Sequence, residues 1–223
     1  MQDQSLAPFI DQTLLKPEAT EAQIRKLCAE AMLHRFFAVC VNSSFVELAV
    51  KELRKSKVKV ASVVGFPLGA SMTLTKAYEA EQSVRLGAQE IDMVLSVGRL
   101  IEKDFLFVKK DISAVVEASA GKLVKVILET SLLNDDEKES ACQISLEAGA
   151  HFVKTSTGFG GGGATLADIQ LMRAAVGTRM GIKASGGVKT REQALALIAA
   201  GATRIGTSSG VELVRGDEVK GGY

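Results

Sequence analysis

The sequence is poor in residues that staple a small fold or hold a metal. Its three cysteines, Cys28, Cys40 and Cys142, are odd in number, show no CxxC spacing and lie in apolar surroundings. That pattern excludes a disulfide framework and reads as reduced core thiols. The two histidines, His34 and His151, are far apart and belong to no ligand-spaced cluster with cysteine or carboxylates, so no dedicated metal site is expected. An excess of one charge is missing too. The 27 basic and 26 acidic residues are interspersed and leave a net charge of +1, which offers no basic face to nucleic acid or an anionic membrane. No apolar run reaches the ~18 residues of a membrane-spanning helix. The opening stretch MQDQSLAPFI lacks a charged n-region and a long apolar core, so the expectation is a soluble, cytoplasmic protein with a small-molecule partner.

What is present is a repeated pattern. With 47% hydrophobic and 24% charged residues the chain can bury a sizeable core. Eight short, β-branched apolar runs recur along it: PFIDQTLL, FFAVCVNS, KVASVVGF, EIDMVLSV, LVKVILET, HFVKTSTG, GIKASGGV and TRIGTSSG. The segments between them have helical periodicity; in Thr20 to Leu33, Ile24, Leu27, Cys28 and Ala31 fall on one face. Thr20 with Gln23, Asn134 with Glu137, and Thr190 with Gln193 have the spacing of capped helix starts. Gly87-Ala88, Gly149-Ala150 and Gly201-Ala202 each close a helix just before a strand. Apolar strands alternating with helices imply a parallel sheet covered on both faces. Eight such units, with no dinucleotide fingerprint after the first strand, favour a closed (β/α)8 TIM barrel over a doubly wound open sheet. No linker or low-complexity tract splits the chain, so residues 1–223 read as one catalytic domain with a short C-terminal tail.

In such a barrel the site forms at the C-terminal ends of the strands. Polar residues late in apolar strands are therefore the informative ones: Asp92, Lys154 and Lys183, with Lys125 and Glu129 as further interior candidates. A lysine embedded in an apolar strand loses hydration, and a second lysine beside it also disfavours the charged form. The resulting free amine can attack a carbonyl to give an imine that serves as an electron sink, and a nearby aspartate can relay protons. The plainer alternatives are strand lysines whose amines reach solvent or a core carboxylate, and an Asp92 that is their core partner. Gly158, Gly160 to Gly163, Gly186, Gly187, Gly206 and the Ser208-Ser209-Gly210 turn form a second signal. Flexible backbone in the last loops of a barrel is where phosphate commonly sits, and Lys189 could add charge there.

Together these segments resemble the deoxyribose-phosphate aldolases, from DQTLLKPEAT through AVCVNSSFV, VVGFPLG, EIDMVLSVG, VKVILET, FVKTSTGF and GIKASGGV to RIGTSSG, nearly the whole chain. The resemblance implies Lys154 as the imine-forming lysine, Lys183 as the second active-site lysine and Asp92 as the proton relay. It also implies that Gly186, Gly187, Ser208 and Ser209 bind the substrate phosphate, and that Thr13, Cys40 and Thr155 line the sugar pocket. No cofactor or metal is implied. The implied partners are a sugar phosphate and acetaldehyde, and the implied assembly is a homodimer or homotetramer. Some members carry a lysine after TSTG and many read DHTLL near the start, where this chain has Phe159 and Gln12. Certain members use a terminal tyrosine as a proton shuttle, a place that Tyr223 would take. Two rivals are another lysine aldolase on a related barrel, separated by its donor, and a sugar-phosphate sensor without chemistry, which would leave no reducible adduct.

Overall fold

The computed structural model describes residues 5–217. Tyr223 lies outside the described residues. Eight parallel strands close on themselves in chain order: β1 (Ile10–Leu14), β2 (Ala38–Val41), β3 (Lys59–Val64), β4 (Glu90–Val94), β5 (Leu123–Ile127), β6 (Phe152–Lys154), β7 (Gly181–Ser185) and β8 (Arg204–Thr207). Pairing of β1 with β8, Asp11 opposite Gly206, completes the circle. The helices that return the chain are α1 (Glu21–His34), α2 (Val46–Leu53), α3 (Thr73–Arg85), α4 (Val97–Ile101), α5 (Phe105–Ala118), α6 (Asp135–Glu147), α7 (Leu166–Val176), α8 (Arg191–Ala199) and α9 (Gly210–Arg215). The expected (β/α)8 barrel is the observed fold.

The local chemistry of the unit repeats. At Thr20 and Asn134 the capping residue and the residue three later satisfy each other's backbone N–H, the reciprocal box read from the sequence. Thr190 accepts from the Gln193 N–H in the same way. Each Gly-Ala pair ends its helix in one pattern: Gly87, Gly149 and Gly201 have positive φ, and the following alanine donates to the carbonyl five residues back. This turn aims the chain into the next strand, which is why three helices deliver their strands with the same geometry.

Strand alternation then sorts the residues. Outward side chains such as Val39, Val60, Ile91, Met93, Val124, Val126, Val153, Ile182 and Ile205 form, with the buried helix faces, one continuous core between sheet and helices. On α1 its buried residues are Ile24, Leu27, Cys28 and Ala31, the predicted face. The lumen is different. A barrel interior is ordinarily filled with branched aliphatics, but here the inner apolar cluster is small, Leu15, Cys40, Ala61 and Val63. Beside it are buried seven charged side chains, Asp11, Glu90, Asp92, Lys125, Lys154, Lys183 and Arg204.

Candidate active site

A chain of ion pairs runs along the lumen. Nearest the N-terminal end, Arg204 contacts Glu90 at 3.1 Å and Asp11 at 2.8 Å, its guanidinium lying 3.5 Å from the Phe37 ring centroid. Lys125 follows, 2.5 Å from Glu90 and 2.7 Å from Asp92. Lys183 lies 2.6 Å from Asp11 and 2.9 Å from Asp92. At the C-terminal end Lys154 donates to Asp92 Oδ2 at 3.0 Å. Lys154 and Lys183 are partners in register on adjacent strands β6 and β7, as their positions in the repeat imply, and Asp92 and Lys125 pair across β4 and β5. Gly206 makes room for this chain: a Cβ there would stand 2.8 Å from Lys183 Cε.

The electrostatics separate the two lysines. Burial pushes the Lys154 amine below the usual lysine range, the Lys183 charge pushes the same way, and Asp92 opposes without cancelling them. Burial also pushes Lys183 down, but Asp11 and Asp92 outweigh it and hold its ammonium above the usual range. Burial raises the Asp92 carboxyl, yet Lys125, Lys183 and Lys154 together hold it well below the usual carboxylate range. Sequence reasoning treats both lysines as desolvated amines; the difference comes from Asp11, which touches Lys183 and not Lys154. The chain holds four basic and three acidic groups, so charge balances when one base is neutral. Lys154, with a single carboxylate partner and the place nearest the opening, is the lysine of the chain whose charged form is disfavoured.

Above Lys154 opens a cleft lined by Thr13, Lys154, Thr157, Gly158, Ser185, Gly186, Gly187, Lys189, Ser208 and Ser209 among others. Gly186 and Gly187 turn through positive φ and present backbone to it. Thr207 donates to Val188 O and accepts from the Ser209 N–H, joining the last two loops. Lys154, Thr13, Gly186, Gly187, Ser208 and Ser209 thus come together around one opening, with Lys183 and Asp92 directly beneath. Two residues of the predicted set do not line it. Thr155 is fully buried, its hydroxyl donating to Ser185 O and accepting from Ser185 N–H, so it ties β6 to β7. Cys40 lies inside the lumen, its Sγ 3.9 Å from Asp92 Oδ2, and burial keeps its thiol protonated.

Asp11, Glu90 and Arg204 were not legible as site residues. Their signal is the two-residue period: each stands two before another inward position, namely Thr13, Asp92 and Gly206. Glu129 is buried but faces the loop after β6, not the ion-pair chain. In a left-handed conformation (φ 56°), it accepts from the Thr157 N–H and hydroxyl and so shapes the rim of the cleft. Phe159, half-exposed, packs edge-on against Phe66 at 5.3 Å outside the cleft. Among the described residues no group of three or more His, Cys, Asp or Glu is placed to hold a metal ion, and no helix is long and apolar enough to cross a membrane.

Comparison with known proteins matches residues 6–215 to the DeoC/LacD family aldolase model. The chain is 58% identical over 218 residues to a deoxyribose-phosphate aldolase of Bdellovibrio bacteriovorus, covering 98% of this chain and 99% of the relative. It is 55% identical to one of Streptococcus uberis, covering 96% and 98% respectively. Among solved structures, a tetrameric deoxyribose phosphate aldolase from Aeropyrum pernix superposes with a TM-score of 0.88 at 35% identity, covering 94% of this chain and 89% of that one. The resemblance read from the motifs therefore holds over nearly the full chain, which belongs to the DeoC/LacD aldolase family.

Proposed function

We propose that this enzyme reversibly cleaves 2-deoxy-D-ribose 5-phosphate into D-glyceraldehyde 3-phosphate and acetaldehyde through a Schiff base on Lys154. The observation that carries the reading is the pairing of a buried amine of lowered pKa with a carboxylate at 3.0 Å, at the floor of a cleft whose far rim is glycine and serine backbone. The neutral amine attacks the C1 aldehyde of the open-chain sugar. Asp92 and Lys183 pass protons as the carbinolamine loses water to give the iminium. The C3 hydroxyl gives up its proton, the C2–C3 bond breaks, and its electrons move into the iminium as an enamine while the phosphorylated aldehyde departs. Protonation of the enamine at C2 and addition of water return acetaldehyde and the free amine. Gly186, Gly187, Ser208 and Ser209 hold the phosphate, with Lys189 at the cleft edge adding charge. Thr13 contacts the sugar; Cys40 and Thr155 support the pocket from behind.

The chain is further read as a homo-oligomer of a cytosolic pathway that degrades deoxyribose phosphate. A tetrameric relative supports assembly, as do the strongly exposed apolar side chains Leu68 and Met72 before α3 and Leu74 and Tyr78 within it. Borohydride reduction in the presence of acetaldehyde and EDTA, followed by peptide mapping, tests the mechanism. A reduced two-carbon adduct confined to the Lys154 peptide is expected, and lost in Lys154→Ala along with turnover. An adduct on Lys183 or Lys125, or none, overturns the assignment.

A further inference from the structure

One buried polar side chain stands behind the glycine–serine rim, on the side away from the reacting amine. Gln12 lies in β1 in register with Thr207 of β8. Asp11 and Thr13 face the lumen and cleft, and alternation sends Gln12 outward, into the space bounded by α1 and α9. It is 3% exposed. Both ends of its amide are used: Oε1 accepts from the Gly210 N–H at 2.9 Å, and Nε2 donates to Glu30 Oε2 at 3.3 Å and, at the edge of hydrogen-bonding distance, to Ser208 O at 3.5 Å. The fit is close, since a Cβ on Gly210 would stand 2.4 Å from Gln12 Oε1.

The turn formed by residues 208–210 is therefore gripped from outside the barrel while Ser208 and Ser209 face the cleft. A neutral amide supplies the acceptor and the donor at once. An apolar side chain of equal size would leave Gly210 N–H without this partner, and the turn would have to be ordered at the moment of binding, at a cost in affinity. We infer that Gln12 is a positioning residue that sets affinity for the substrate's phosphate by fixing the Ser208–Gly210 turn, without touching substrate. This rests on the reading above that the rim holds the phosphate.

The test compares wild type and Gln12→Met on 2-deoxyribose 5-phosphate and on unphosphorylated 2-deoxyribose, with inorganic phosphate as an inhibitor of the latter. For Gln12→Met, KM for the phosphorylated sugar rises about five- to tenfold, the scale of one lost hydrogen bond. Inhibition by phosphate weakens by the same factor, while kcat and the rate on the unphosphorylated sugar hold. An unchanged KM, or a loss shared equally by both sugars, overturns the inference alone. A wild-type enzyme that shows no preference for the phosphorylated sugar and no inhibition by phosphate overturns the phosphate reading and this inference with it. Should Gln12→Met not fold, Glu30→Ala on the partly exposed side of α1 removes one of the two acceptors of Nε2, together with an exposed pair to Lys26, and leaves the Oε1 contact to Gly210 in place. A smaller rise in the same KM is then expected, and no rise overturns the proposal.

Discussion

The reactivity proposed for Lys154 rests on what surrounds it, and its neighbours make opposite predictions. Lys183 helps to lower the Lys154 pKa and Asp92 opposes that. In Lys183→Met one like charge is gone, the Lys154 pKa rises, and the acid limb of the kcat/KM profile moves to higher pH. In Asp92→Asn the attractive charge is gone, the pKa falls further, and the acid limb moves to lower pH. Each variant also loses at least ~100-fold at its plateau, the scale of one general acid–base contribution. Limbs that shift in the same direction would contradict the electrostatic account. Lys154, Lys183 and Asp92 were legible as candidates because charge in an apolar strand is conspicuous. The unequal charge states of the two lysines were not, since they depend on Asp11, which lies 172 positions before Lys183 in the sequence and reaches it only because β1 closes the barrel against β8.

Helices here are tied down by more than their apolar faces. Lys76 of α3 is fully buried, 2.7 Å from Asp111 of α5, and donates to the carbonyl of Val94 at the end of β4. Thr73 donates to the other oxygen of Asp111 at 2.7 Å. This cross-link secures the end of the strand that carries Asp92. Removing one partner strands a buried charge, so Lys76→Met lowers stability by about 3–5 kcal/mol in urea unfolding, while Lys76→Met with Asp111→Leu recovers most of it. A single variant as stable as wild type would show that Asp111 finds another partner or protonates. Nothing in TLTKAYEAEQ marks Lys76 as interior, because a lysine on a helix is usually solvated. The caps at Thr20, Asn134 and Thr190 and the three Gly-Ala endings were readable because their partners are within five residues, and a local hydrogen bond leaves a local spacing.

For the molecule as a whole, the ionic lumen couples stability to pH. Asp11 and Asp92 have folded-state pKa values below the usual carboxylate range, because Lys183, Arg204 and Lys125 outweigh burial at Asp11 and Lys125, Lys183 and Lys154 outweigh it at Asp92. Their contribution is fully present above that range. It is lost as pH falls through the folded values, because the unfolded chain takes up these protons first. The melting temperature is therefore expected to decline below the usual carboxylate range, and less steeply in Asp92→Asn; equal steepness by scanning calorimetry would mean that other carboxylates dominate. The order and number of strands, the helix ends and the three candidate groups follow from the linear chain, since period, capping and misplaced charge are properties of neighbours in sequence. Which groups meet is decided by closure of the barrel. The Arg204, Glu90 and Asp11 links, the outward placing of Gln12 and the retreat of Thr155 behind the cleft all depend on register between strands distant in sequence, and the balance of charge in a shared low-dielectric interior exists only once all eight strands are in place.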